Sequence, residues 1–261
     1  MKNIYFLHIP KTAGTFIDSA IIKGLDKENI PHYANKSSEF PHKINFEEVR
    51  YISGHFGTYP IKNSSYLDFF TILRNPLDLS ISYFNFVYNI KYDHIYSNIK
   101  GYKNRLIKYL LNDENTKIYN NIQSRFLSNS ADSSIFYPNN KTREELETNS
   151  DSNNPMWFVD NKNTSFDNAV KTIDACSLVG SVENLESFCE KLSKYFLFNL
   201  GVNIEFETNK KVNESFAIDN GIRYTTEDAI NLLSKEVIEE FILNNKLDYL
   251  VYSYALRHDL I

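Results

Sequence analysis

Lys11, Thr12, Ala13, Gly14 and Thr15 form a short polar loop. It follows the apolar run Ile4 to Ile9, closed by Pro10, and precedes a helical pattern that opens at Phe16. A lysine, two hydroxyls and small residues ahead of a helix have the makings of an anion cradle. Backbone N–H groups at a helix N-terminus point outward and together carry about half a positive charge. Lys11 adds a full charge, and Thr12 and Thr15 add hydroxyl donors. No bulky side chain between Lys11 and Thr15 keeps a phosphate from the backbone. The order differs from the Walker loop, G-x-x-x-x-G-K-[ST], in which the lysine comes last. Read by itself, a lysine-bearing turn after a strand is equally a tight surface turn. Two further residues have chemistry to offer. Arg74 ends the apolar run 69–73, and its planar guanidinium suits bidentate phosphate contact. His55 lies in Ser53-Gly-His-Phe-Gly57, where a neutral imidazole can take a proton from an acceptor hydroxyl near pH 7. Glycines on either side of this stretch leave room for a substrate.

These residues need a scaffold, and the hydrophobic pattern outlines one. Strands are expected at Ile4–Ile9, Val49–Ser53, 69–73, Ser177–Gly180 and Val202–Phe206. Helices are expected at Thr15–Gly24, Leu77–Tyr88, 102–128 with a break at Asn112-Asp113, Asn184–Phe198, Thr226–Asn244 and Leu247–Leu256. Asn75 followed by Pro76 is a start signal for the second of these. Residues 25–48 read as loop. Residues 129–155, rich in Ser, Asn and Asp, read as a long mobile loop of the kind that serves as a substrate lid. Strands alternating with helices predict an α/β fold, a three-layer sandwich with a central parallel sheet and a helical C-terminal third. One domain, 1–261, accounts for the length. Ligands of such sheets sit at the carboxyl ends of the strands, where the Lys11 loop, His55 and Arg74 all fall.

Composition narrows the partners. The chain carries 28 Lys+Arg against 33 Asp+Glu, a net charge of −5, and shows no basic stripe. Nucleic acid is therefore not an expected partner, and a polyanionic acceptor, which needs a basic groove, is disfavoured. Aromatic residues make up 15%, which suits a pocket with stacking surfaces for a sugar or a cationic metabolite. Cys176 and Cys189 have neither metal nor redox spacing and read as reduced core thiols. No carboxylate pair or His/Cys cluster stands beside the loop, so no metal is expected. Met1-Lys2-Asn3 runs straight into the first strand, and no run reaches membrane-span length, so a cytoplasmic protein without membrane contact is expected.

The string Pro10-Lys-Thr-Ala-Gly-Thr resembles the 5′-phosphosulfate loop of sulfotransferases that use 3′-phosphoadenosine 5′-phosphosulfate (PAPS). It is most similar to the carbohydrate branch that includes heparan sulfate 2-O-sulfotransferase. Thr71-Ile-Leu-Arg-Asn-Pro-Leu-Asp-Leu-Ser-Ile-Ser resembles that family's 3′-phosphate segment, in which a strand ends in Arg and a helix carries a Ser eight residues on. The resemblance implies a P-loop NTPase-like sulfotransferase fold. It implies that PAPS is the donor and 3′-phosphoadenosine 5′-phosphate (PAP) the product, with a glycan or small-molecule hydroxyl, or an amine, as acceptor. Lys11 would stabilise the leaving phosphate oxygen, and backbone N–H groups of Thr12, Ala13, Gly14, Thr15 and Phe16 would hold the 5′-phosphate. Arg74 and Ser82 would hold the 3′-phosphate, and His55 would be the general base, with His8 its rival. Asn121-Ile-Gln-Ser-Arg-Phe-Leu is similar to a family segment that places Gln123 or Arg125 near nucleotide or acceptor, though it reads equally as a helix face. Ser177-Leu-Val-Gly-Ser-Val-Glu resembles a structural element in which Glu183 orients its neighbours. Asn213 falls in a stretch like a late nucleotide-closing loop. Phe16 departs from the pattern, because many relatives have Thr or Ser there. Two other readings remain: a nucleotide-dependent phosphotransferase, which needs magnesium and an acidic ligand, and a non-catalytic phosphonucleotide-binding protein.

Overall fold

Five parallel strands form the centre of the molecule, in the order His32–Tyr33, Tyr51–Gly54, Asn3–Leu7, Leu67–Leu73, Leu178–Ser181. A computed structural model describes residues 3–34, 45, 48–63, 67–89, 99–111, 120–129, 163–207 and 216–259. The strands are β1 (Asn3–Leu7), β2 (His32–Tyr33), β3 (Tyr51–Gly54), β4 (Leu67–Leu73) and β5 (Leu178–Ser181). β1 is buried along its whole length, as expected of a strand covered on both faces. Its side chains alternate between two cores. Ile4 and Phe6 face one with Phe70 and Ile72, and Tyr5 and Leu7 face the other with Phe69 and Leu73.

α1 (Gly14–Lys27) and α7 (Leu185–Leu200) cover the first face through Ile17, Ile21, Leu25, Phe188 and Phe196. The second face is covered by α3 (Pro76–Asn89), α4 (Tyr102–Leu111), α5 (Ile122–Ser128), α6 (Phe166–Ala175), α9 (Lys235–Asn244) and α10 (Lys246–Asp259). Two short helices, α2 (Tyr59–Asn63) and α8 (Thr226–Asn231), complete the described set. The result is helix, sheet, helix: the coarse α/β sandwich. No helix among the described residues is long and apolar enough to cross a membrane.

The chain leaves β1 for the β2–β3 side and then crosses to β4 on the other flank. β1 therefore stands at the topological switch point, the place where ligands of such sheets bind, at the carboxyl ends of the strands. In register, Leu7 lies opposite Gly54 on one side and Thr71 on the other. The loops after β1, β3 and β4 are thereby neighbours.

Three sequence expectations need correction. Val202–Phe206 is not a strand. Val202 and Ile204 are buried against the α1–α7 layer, and Ser193 Oγ donates to the Ile204 carbonyl at 2.6 Å. The alternation there marks contact with helices, not with a sheet. Residues 25–48 are not all loop, because α1 runs to Lys27 and β2 pairs with β3. Thr226–Asn244 is two helices, with Ser234 accepting from the Val237 N–H to open the second. Ahead of them lies an antiparallel hairpin, β6 (Phe216–Asp219) and β7 (Ile222–Thr225). It turns at Asn220 and Gly221, both at positive φ, the Asn-Gly pair that favours such a turn. Residues 130–155 of the expected lid, and Asn213, lie outside the described residues.

Candidate functional site

Lys11 and Ala13 both take left-handed backbone conformations, at φ 66° and 61°. Alternation of hand along a short loop draws successive N–H groups toward one point, the arrangement called a nest. Ala13 then caps α1 with no side-chain hydrogen bond, and no acidic residue occupies the first turn. The amides of Gly14 and Thr15 belong to this first turn of α1, at the carboxyl end of β1. Thr12 is fully buried and its hydroxyl donates to the Ile9 carbonyl at 2.7 Å. That hydroxyl braces the loop, where the sequence suggested a ligand donor. Thr15 is exposed at the rim. Phe16 turns its ring into the core beside Phe206, 6.0 Å between centroids, so it offers only its backbone.

Gly14 has a different reason from the one expected. A Cβ there would stand 1.7 Å from His8 Nε2. The space is filled by the protein's own imidazole rather than left for a phosphate. His8 is buried, stacked on Phe6 at 5.0 Å, with Nδ1 3.5 Å from the Asp18 carboxylate. Asp18 is fully buried and accepts from the Tyr51 hydroxyl at 2.5 Å and the Ser53 hydroxyl at 2.6 Å. A carboxylate beneath α1 thus ties the helix to β1 and β3. The sequence carries a signal for it: Asp18 sits on the buried face of α1 with Gly14, Ile17, Ile21 and Leu25, where a charge needs partners.

Lys11 and Arg74 meet over this loop. Arg74 Nη1 donates to the Lys11 carbonyl at 3.3 Å. The Lys11 ammonium lies 4.7 Å from the centre of the Phe86 ring. Burial, with the Arg74 charge added, brings its pKa down to about 8. Burial also lowers Arg74, partly offset by the carboxylates of Asp78 and Glu183. Glu183 accepts from the Asn75 N–H at 2.8 Å and from the Tyr252 hydroxyl at 2.8 Å, which ties the turn after β4 to α10. Ser82 is buried in α3, one turn before Phe86. Residues i and i+4 share a helix face, so Ser82 belongs to the face that carries Phe86 under Lys11.

His55 Nδ1 stands 2.7 Å from the His8 carbonyl oxygen. A carbonyl only accepts, so Nδ1 bears the proton and Nε2 keeps its lone pair. That is the tautomer a general base requires. Burial first, then the nearby His8 and Lys11, lower its pKa to about 3, against the opposing His8 carbonyl and Asp18. The imidazole is neutral at physiological pH. The flanking glycines, expected to admit a substrate, are filled from within. A Cβ on Gly54 would stand 2.4 Å from the Phe56 ring, and one on Gly57 would stand 2.1 Å from the Asn129 carbonyl oxygen. Tyr5 adds a hydroxyl hydrogen bond to the Gly57 carbonyl at 2.8 Å. These glycines shape the turn that presents His55.

Helix α5 spans the strand ends. Its Gln123 side chain binds both main-chain groups of Arg74, and its Phe126 ring packs 6.2 Å from His55. The Asn129 carbonyl receives the Thr58 N–H at 2.9 Å. Asp248 of α10 accepts from the Gln123 and Ser124 N–H groups and from the Ser124 hydroxyl, and burial pushes its pKa up to about 6. Arg125 is buried in the same helix, close enough for its charge to act on Asp248.

The arrangement is a left-handed loop at a helix N-terminus, with two partly desolvated cations over it and a neutral imidazole a strand away. Among the described residues, no group of three or more His, Cys, Asp or Glu side chains could hold a metal ion. Cys176 and Cys189 are free thiols; burial raises both, Cys189 to about 12. No family model matches the chain, and no curated protein matches it.

Proposed function

We propose that the chain is a sulfotransferase that takes the sulfuryl group of PAPS to a hydroxyl or amine of a glycan or small-molecule acceptor. One observation carries the reading: Arg74 is bonded to the Lys11 carbonyl, so cations from two strand ends share one uncapped helix N-terminus. Two cations at one helix N-terminus suit a strongly anionic ligand, and the order of the motifs, which resembles that of PAPS enzymes, extends the reading to a second phosphate.

The fit is electrostatic. Burial leaves Lys11 near pKa 8 and lowers Arg74, so both gain from a bound anion. In this reading the 5′-phosphosulfate lies against the N–H groups of residues 12–16, and the 3′-phosphate against Arg74 and Ser82. PAPS supplies an activated sulfuryl group. Lys11 steadies the negative charge that grows on the bridging oxygen as the S–O bond to phosphate breaks. His55 Nε2 takes the acceptor proton as the new S–O bond forms. A base with pKa near 3 is weak, and the negative charge of the donor beside it raises that value. The two other readings, phosphotransferase and non-catalytic binder, fall to the same test. Purified protein is titrated with PAP and with ATP plus magnesium, then incubated with isotopically labelled PAPS and an acceptor panel. Tighter binding of PAP and a mass gain of one sulfuryl group on an acceptor are expected. Tighter binding of magnesium–ATP refutes the proposal, and PAP binding without transfer to any acceptor favours the non-catalytic reading.

A further inference from the structure

Gln123 is fully buried, and its amide meets the peptide of Arg74 at both ends. The Arg74 N–H donates to Gln123 Oε1 at 2.9 Å, and Gln123 Nε2 donates to the Arg74 carbonyl at 2.9 Å. Arg74 lies one residue past the end of β4, where the sheet no longer supplies partners. The side-chain amide takes the place of a missing strand, because it presents the same donor and acceptor pair as a peptide. Gln123 is itself held. Its N–H donates to Asp248 at 3.1 Å, and the next residue donates to the same carboxylate through N–H and hydroxyl at 2.8 and 2.6 Å. Asp248 N–H in turn donates to Asn121 Oδ1 at 3.1 Å. A chain of hydrogen bonds therefore runs from α10 through α5 to the main chain of Arg74.

We propose that Gln123 is the positioning residue for Arg74, and that through it the protein distinguishes a nucleotide with a 3′-phosphate from one with a 3′-hydroxyl. This rests on the reading of Arg74 as the 3′-phosphate group. Arginine earns its selectivity from a planar fork at a set angle. With the main chain of Arg74 pinned at N–H and carbonyl, the side chain leaves from a fixed root toward the Lys11 loop. Released, the same charge remains but its angle wanders. The consequence is specific: contacts to the 5′-phosphate persist and the benefit of the 3′-phosphate is lost.

The readout is the ratio of affinities for PAP and AMP, two nucleotides that differ only in the 3′-phosphate. Calorimetry on the wild-type protein is expected to favour PAP by about 10- to 100-fold, the range for charge-assisted hydrogen bonds. Gln123→Met, close in volume and without hydrogen bonds, is expected to bring the ratio within about 3-fold while AMP affinity stays within about 2-fold. Phe196→Leu, in the core on the opposite face of the sheet, serves as a control for loss of stability and leaves the ratio unchanged. Should Gln123→Met fail to fold, Asp248→Asn tests the same chain one step back and lowers the ratio by about 3-fold. A wild-type protein with no preference for PAP overturns the 3′-phosphate assignment and this proposal together. A clear wild-type preference that survives in Gln123→Met, or in Asp248→Asn where that variant is the one measured, overturns the proposal alone.

Discussion

If the Lys11 ammonium is part of the anion site, PAP affinity must fall as pH rises through its pKa. Lys11 sits near 8 because burial and the Arg74 charge disfavour its protonated form. A bound phosphate reverses that preference, so the complex binds the proton more tightly than the free protein. The sign follows: binding is strongest with Lys11 charged and weakens above pH 8. With a pKa near 8, the lysine is roughly 90% charged at pH 7 and roughly 10% at pH 9. Affinity therefore drops about 10-fold between those values, or about 1.4 kcal/mol. The ligand does not account for the change, since phosphate second ionisations near pH 6 are complete throughout the range. Calorimetric titration with PAP at pH 7, 8 and 9 reads the effect directly. Lys11→Arg, charged at every one of these values, is expected to flatten the curve. A flat wild-type profile, or an equal slope in Lys11→Arg, refutes the placement of the ammonium at the phosphate.

Two further expectations concern the histidines. Gly14→Ala forces a methyl to within 1.7 Å of the His8 ring, so a loss of about 1–3 kcal/mol from overpacking is expected in urea unfolding. His8→Ala should relieve it, with a coupling of at least about 1 kcal/mol in a double-mutant cycle; additive effects would mean that the ring does not fill that space. His55 has a folded pKa near 3 against about 6.5 unfolded. The unfolded chain thus takes up a proton that the folded one refuses, and stability falls as pH drops below 6.5 toward 3. Between pH 7.5 and 5 the wild-type protein is expected to lose about 1–2 kcal/mol more than His55→Gln; identical losses would place His55 in a solvated, unshifted environment.

The parts that local pattern governs were legible. β1, β3, β4 and β5 lie close to their expected positions because strands of a sheet covered on both faces are short, largely apolar segments. Asn75 opens α3, with its Oδ1 3.0 Å from the Leu77 N–H. The three proposed site residues converge because all end strands of one sheet. What depended on distant contacts was not legible. Val202–Phe206 alternates like a strand yet packs on helices, and alternation cannot say which surface it meets. The β6–β7 hairpin had a cue in Asn220-Gly221, but its strands carry only four residues each. The segment Asn121–Leu127, which reads equally as a helix face, caps and forms most of the buried helix α5, bonded to Asn245 and Asp248 more than 120 residues away along the chain.

The sequence by itself determined where anion-binding chemistry could gather: a lysine loop, a strand-ending arginine and a histidine between them, each recognisable from its neighbours. The tertiary structure decided what each small or polar residue there is for. Gly14, Gly54 and Gly57 accommodate the protein's own His8, Phe56 and Asn129, and the Thr12 hydroxyl braces the loop. Asp18 and Gln123 act on partners from other strands and helices. A sequence carries residue type and spacing along one chain. Which atoms fill the space beside a missing side chain, and which groups share a buried hydrogen bond, is settled only when the strands are brought side by side.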